Sequence, residues 1–218
     1  MTAAPAALRA SAPGRWALLV FVFFGWGVAV SLMVRSGLGL GPWDAFHAGL
    51  HHKLGIGIGT ASILAGLAVV VASLPLGVRP GVGTAANMVL IGLFIDLLLP
   101  LVPAATSVPV ALAYHLTGIA LAGWFTGAYI AAGLGKGPRD GLVLAFAARS
   151  GWPVRRVRTV IEIAVLGAGW ALGGTLGPGT VVYALLVGPA MQWGLASWGV
   201  LPAPLRRGPR VPEVTPLA

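Results

Sequence analysis

Two octapeptides decide the reading of this chain: GLGLGPWD, Gly37 to Asp44, and GLGKGPRD, Gly133 to Asp140. The second begins 96 positions after the first, and the same shift holds without a gap through the flanking sequence. It pairs Gly55 with Gly151, Gly77 with Gly173, Gly81 with Gly177, Gly83-Thr84 with Gly179-Thr180, Leu90 with Leu186 and Gly92 with Gly188, and upstream Gly27 with Gly123. Apolar residues coincide by chance in any two hydrophobic segments. Glycines, prolines and an aspartate in one unbroken register do not, so the chain reads as a duplication.

The runs around these motifs are apolar. Of the 218 residues, 57% are hydrophobic and 9% charged, and the mean hydropathy of +0.91 is too high for a single soluble core. The 33 Gly and 17 Pro are spread through apolar runs, where membrane helices tolerate both. A crossing helix needs about 20 apolar residues. Six stretches meet that expectation: Trp16 to Val34, Thr60 to Leu76, Gly83 to Val102, Pro109 to Ala132, Val154 to Gly173 and Thr180 to Val200. The expected fold is an all-α membrane protein with two three-helix repeats, residues 16–104 and 105–200, between an N-terminal segment 1–15 and a basic, Pro-rich tail 201–218. Three spans per repeat is an odd number, so the second copy enters from the opposite side and the repeats are inverted. Inverted repeats with interrupted segments at matching positions recur in secondary transporters.

Charge supports this orientation. The formal net charge is +9, but no basic stripe is interleaved with stacking aromatics, so nucleic acid is not an expected partner. With a cytoplasmic N-terminus, one side receives Arg9, Arg15, Arg79, Lys136, Arg139, Arg149, Arg155, Arg156, Arg158, Arg206, Arg207 and Arg210, and the other only Arg35 and Lys53. Such asymmetry places both termini in the cytoplasm. The first apolar run is too long for a secretory signal and no A-x-A-like site follows it. The absence of cysteine excludes disulfides and thiol chemistry.

In each motif Gly41 or Gly137 ends an extended stretch, Pro42 or Pro138 presets a helical φ, and Asp44 or Asp140 follows two residues later, beside Trp43 or Arg139. One reading is that the aspartates cap short helices, Pro42 to Leu54 and Pro138 to Ser150. The other, compatible with it, is that each short helix is re-entrant and its end lines a polar cavity. GLGLG superficially suits phosphate, but no G-x-x-x-x-G-K-[ST] is present and a nucleotide site is rejected. Gly123 to Gly127 and Gly169 to Gly173 have the spacing of close helix packing.

An ionisable group within a span is by default a functional candidate. Asp96 leads, with Gln192 at its repeat position and Asn87 and Tyr183 as a second polar pair. Glu162 is the other candidate, although Arg158 four residues earlier offers it a local ion pair. His115 is expected at a depth similar to Asp96, where an Asp96–His115 pair is possible. His47, His51 and His52 suggest metal at first, but the second copy has Val143, Ala147 and Ala148 there. A solvated helix face is expected instead, with no metal and no cofactor. No G-x-S-x-G or H-E-x-x-H motif occurs, so no enzymatic activity is expected.

GLGLGPWDAFHAGLHHKLGIGIGTASILAG, with its weaker second copy GKGPRD, resembles the YczE/YyaS/YitT group of bacterial membrane proteins, and within it the YczE-like branch. The resemblance runs from the first span to about Val200. It implies a bacterial inner-membrane location and a multi-span fold, and no substrate. The leading expectation is a small secondary transporter or permease for a small solute or ion, with Asp44 and Asp140 at the entrances and Asp96, Gln192, Glu162 and His115 along the pathway. The alternatives are an accessory protein docking a cytoplasmic partner through Lys136 to Arg158, or a substrate-binding subunit of a multi-component transporter. A homo-oligomer or a membrane partner subunit is compatible with each.

Overall fold

The structure is a computed structural model and describes residues 12–78, 80–133 and 137–200. Most of the N-terminal segment, Arg79, Lys136 and the tail 201–218 lie outside the described residues, with the share of the charge asymmetry they carry.

Among the described residues the chain is helical: α1 Ala12–Ser36, α2 Pro42–Leu54, α3 Ile58–Ser73, α4 Val82–Leu98, α5 Val108–Ala132, α6 Pro138–Ser150, α7 Val154–Ala171 and α8 Pro178–Ser197. Leu-Pro-Leu turns of 3-10 type, Leu74–Leu76 and Leu99–Leu101, end α3 and α4, because proline cannot continue the α-helical ladder. The two short helices, α2 and α6, have 13 residues each and matching ends. Each starts from an extended glycine followed by proline, whose fixed φ suits the first helical position. Each stops at a left-handed glycine, Gly55 at φ 67° and Gly151 at φ 68°, whose N–H donates to His51 or Ala147 and satisfies a last-turn carbonyl.

Five segments are long and apolar enough to cross a membrane: Pro13–Ser36, Ile58–Leu76, Val82–Leu101, Val108–Ala132 and Pro178–Ser197. Five of the six expected spans are therefore present as such. The sixth expected segment is helical as α7, but Arg155, Arg156, Arg158 and Glu162 occupy its first half and break its apolar length. The other long helices are apolar on all sides, and Leu64, Leu93, Leu97, Leu116 and Leu185 lie exposed on their outer faces. Lipid is the solvent that such faces require.

Helices α1 and α5 pack together, with α4 against α1 and α8 against α5. Small residues allow the close approach: Gly118 meets the Ala29 carbonyl and Met33, Gly123 meets Ala190, and Gly127 meets Gly194. Leu19, Val22, Phe23, Phe125 and Tyr129 fill one buried cluster between α1 and α5. The short helices cross over, α2 packing on α7 and α6 on α3. Ala45 on α2 meets Gly174, and Gly141 on α6 faces Val78, where an added Cβ would lie 3.2 Å from Cγ1. These are the same two positions shifted by 96 residues. Ahead of α2, Leu40 donates its N–H to the Thr175 carbonyl (3.1 Å), and Gly179 donates to that of Leu38 (2.8 Å). Gly39 between them has φ +112°, and a Cβ there would lie 2.5 Å from the Gly177 nitrogen. Only glycine fits this crossing.

Candidate functional site

A cavity of about 530 Å³ lies at the centre of the bundle and is lined by residues from all eight helices. That volume is within the range of small-molecule sites. The first turns of α2 and α6 enter it with Trp43, Asp44, Arg139 and Asp140, and α7 contributes Arg158 and Glu162. Asn87 and Tyr183 add neutral polar groups. Trp26, Val30, Ile91, Val187 and Met191 supply apolar wall. Every first-half residue that lines the cavity has its counterpart, 96 positions on, lining it too: Trp26 with Ala122, Ser62 with Arg158, Gly66 with Glu162, Asn87 with Tyr183.

The charges fall into an inner and an outer set. Asp44 is 7% exposed, and among the described residues its carboxylate accepts no hydrogen bond. Its nearest ionisable neighbour is His47, whose Nδ1 lies 3.7 Å away, beyond hydrogen-bond range. The Arg139 guanidinium lies over the Trp43 ring, 4.5 Å from its centroid, an attraction between cation and ring quadrupole. Its Nη2 is 3.3 Å from His47 Nε2, and among the described residues no carboxylate is within 4.0 Å of it. His47 is 1% exposed. Burial pushes its imidazole below the ordinary value, with Asp44 opposing and Arg139 reinforcing the shift. A neutral ring with an accepting Nε2 suits the neighbouring guanidinium. In the outer set, Arg158 lies 3.7 Å from Asp140 and 3.5 Å from Glu162, with side chains of Arg158 and Asp140 about half exposed. Glu162 thus has the local pair expected of it and also faces the cavity.

The other sequence candidates are placed elsewhere. Asp96 does not line the cavity: Oδ1 accepts from the Gly59 N–H (2.7 Å), and Oδ2 accepts from the Thr60 N–H (2.8 Å) and hydroxyl (2.7 Å). It caps the start of α3 from α4, satisfying amides left free by the first turn. His115 does not pair with it. It is buried at 1% exposure, with Nε2 donating to the Gly179 carbonyl (2.9 Å) and Nδ1 3.3 Å from Ser36 Oγ, which ties α5 to α1 and α8. Gln192 is exposed on the outside of α8. Neither Asp44 nor Asp140 hydrogen-bonds an amide of its own helix among the described residues, so their capping is limited to the favourable end of the helix dipole. Of the three histidines of α2, His51 and His52 are solvated as expected, but His47 is buried where α2 packs on α7 and α3, with Arg139 Nη2 beside its ring. Among the described residues no cluster of His, Asp or Glu has the arrangement of a metal site.

Sequence reasoning missed His47 and treated Arg139 as part of a helix start. The available signal for Arg139 was the replacement of Trp43 by a cation at the position 96 residues on, since the guanidinium lies over that ring.

The fold and the cavity define a multi-pass helical membrane protein with an internal chamber whose mostly apolar wall carries a few charged side chains. The chain belongs to the family of unknown function DUF6198, whose model matches residues 13–195. It is 37% identical over 175 residues to the uncharacterized membrane protein YczE of Bacillus subtilis (strain 168), covering 80% of this chain and 81% of that protein. An uncharacterized protein of Haemophilus influenzae is 35% identical over 178 residues, 82% of each chain. No solved structure matches.

Proposed function

We propose that this protein is a small secondary transporter of the bacterial inner membrane, built from two inverted repeats around the central cavity, with both termini in the cytoplasm. The observation that carries the reading is the cavity lining itself. Residues 96 apart meet around one chamber, as they must if a two-fold axis in the membrane plane passes through it, and inverted-repeat transporters hold their sites there. The crossed packing of α2 on α7 and α6 on α3 follows the same symmetry. In this reading α7 is the sixth crossing. Its charged residues are tolerated because Arg158 and Glu162 face the cavity rather than lipid.

A difference between the halves supports alternating access. In the first half α3 lies against α4: Gly59 meets the Gly92 carbonyl, and Asp96 clasps the start of α3. The repeat counterparts of Gly92 and Asp96 are Gly188 and Gln192. Nothing lies within 4 Å of a Cβ built on Gly188, and Gln192 is exposed. The cavity accordingly gains Thr159, Ile161, Ile163 and Leu166 of α7 as extra lining. In this reading one gate is closed and its counterpart open, and the positive-inside bias of the sequence favours the cytoplasm as the side of the open one.

The test is flux in proteoliposomes across a broad panel of small solutes under a proton gradient. The expected result is uptake that Asp44→Asn and Arg139→Gln each lower by about tenfold or more, with the thermal transition in detergent retained. Folded protein that moves no solute, while the surface around Arg149, Trp152 and Arg156 captures a cytoplasmic partner, would favour the accessory reading.

A further inference from the structure

The inner charges of the cavity are of opposite sign, face one chamber and do not neutralise each other by contact. Asp44 presents a buried carboxylate without a hydrogen-bond donor from the described residues, 3.7 Å from a His47 nitrogen. Arg139 presents a guanidinium held by the Trp43 ring and a single 3.3 Å contact to His47. A charge withdrawn from water persists when something pairs with it; Asp44 is buried and Arg139 half-buried, and their complements are one cation for Asp44 and one anion for Arg139. The outer charges differ, since Asp140, Arg158 and Glu162 are already engaged with one another. A free anion would satisfy Arg139 and leave Asp44 unpaired beside it, and a free cation would do the reverse. One molecule carrying both charges satisfies both, and the apolar wall of Trp26, Val30, Ile91, Val187 and Met191 requires that it also bring an apolar body.

The geometry points to a small zwitterion with an apolar side group as the ligand of this cavity, its carboxylate on Arg139 and its ammonium on Asp44. The inference rests on the transport reading for its biological use and names the substrate class. Arg139 supplies a planar donor fork matched to a carboxylate, and Trp43 fixes that fork from one face. The surplus negative charge lies in the outer set, near the open side.

The test uses the full chain in detergent and three probes that share one branched aliphatic body: L-leucine with both charges, isoamylamine with the ammonium alone, and isocaproate with the carboxylate alone. Binding is measured by titration calorimetry and by the shift of the thermal transition. The expected result is that leucine binds and that each single-charge probe binds at least about tenfold more weakly. Arg139→Gln is expected to bring leucine down to the level of isoamylamine, and Asp44→Asn to the level of isocaproate, while Arg139→Lys retains part of the affinity. The wild-type comparison stands even if a variant fails to fold. Either single-charge probe binding as tightly as leucine would overturn the inference, as would failure of leucine to bind. Leucine binding without flux in proteoliposomes would leave the ligand class standing and remove the transporter. Flux of a singly charged solute without leucine binding would do the opposite.

Discussion

Two residues show how neighbours set the role of an ionisable group. Asp96 has the profile of a pathway residue in sequence, yet its three hydrogen bonds to Gly59 and Thr60 commit it to holding α3 against α4. Asp96→Ala is expected to destabilise the protein by about 2 kcal/mol, the scale of losing charge-assisted hydrogen bonds, as measured by unfolding in detergent. If flux fell while stability was unchanged, a pathway role would replace the structural one. His47 has the opposite history, being a solvated histidine in sequence and a buried one beside Arg139 in the fold. Its folded-state value lies below the ordinary 6.5, so the unfolded chain takes up the proton first as pH falls. The stability that neutral His47 contributes is therefore full above about 6.5 and drains as pH falls through the lower folded value. The unfolding midpoint is expected to drop on acidification below neutrality, and His47→Gln should flatten that dependence. An equally steep profile in the variant would assign the effect to another group.

At the scale of elements, glycine contacts decide which helices touch. A Cβ on Gly92 would lie 2.5 Å from Ile63 Cγ1 and 2.6 Å from the Gly59 carbonyl oxygen, distances that backbone and a packed β-branched side chain cannot relieve. Gly92→Val is expected to separate α3 from α4, lower the thermal transition and break the Asp96 clasp. Gly188→Val occupies the equivalent position with open space around it and is expected to leave the transition of this state nearly unchanged while lowering flux. Equal loss of stability in the two variants would contradict the difference in packing between α3 on α4 and α7 beside α8, and with it the proposed gates. The short helices α2 and α6 were legible down to their ends, because a proline start and a left-handed glycine stop are local requirements. The interrupted apolar run of α7 was read as one more span because hydropathy averages over a helix, while its charged and apolar residues occupy different faces.

For the whole molecule, the proposed transport by alternating access requires α7 to close on α8 when α3 leaves α4. The chain contains no cysteine, so paired cysteines can be introduced without a background. Arg155→Cys with Gly188→Cys, the counterparts of Gly59 and Gly92, is expected to cross-link under oxidation only when the protein visits the opposite state, and the link should block flux reversibly. Gly188→Cys alone should be reached by a membrane-impermeant thiol reagent from the cytoplasmic side. Labelling from the outer side, or cross-linking with undiminished flux, would sink this arrangement of gates.

The amino-acid sequence by itself determined the solvent of this protein, the presence and ends of its helices and the duplication, because hydropathy, proline starts, glycine stops and a constant shift are properties of the chain read in order. It also singled out Asp44, Glu162, Asp140 and the motif position of Arg139. Only the tertiary structure decided which of these meet. The crossing of α2 onto α7 and α6 onto α3 brings residues 96 positions apart into one chamber, buries His47, joins Arg139 to Trp43, and turns Asp96 toward the amides of α3. Those outcomes depend on which faces the helices present to one another, and that is set by the packing of small residues between helices distant in sequence.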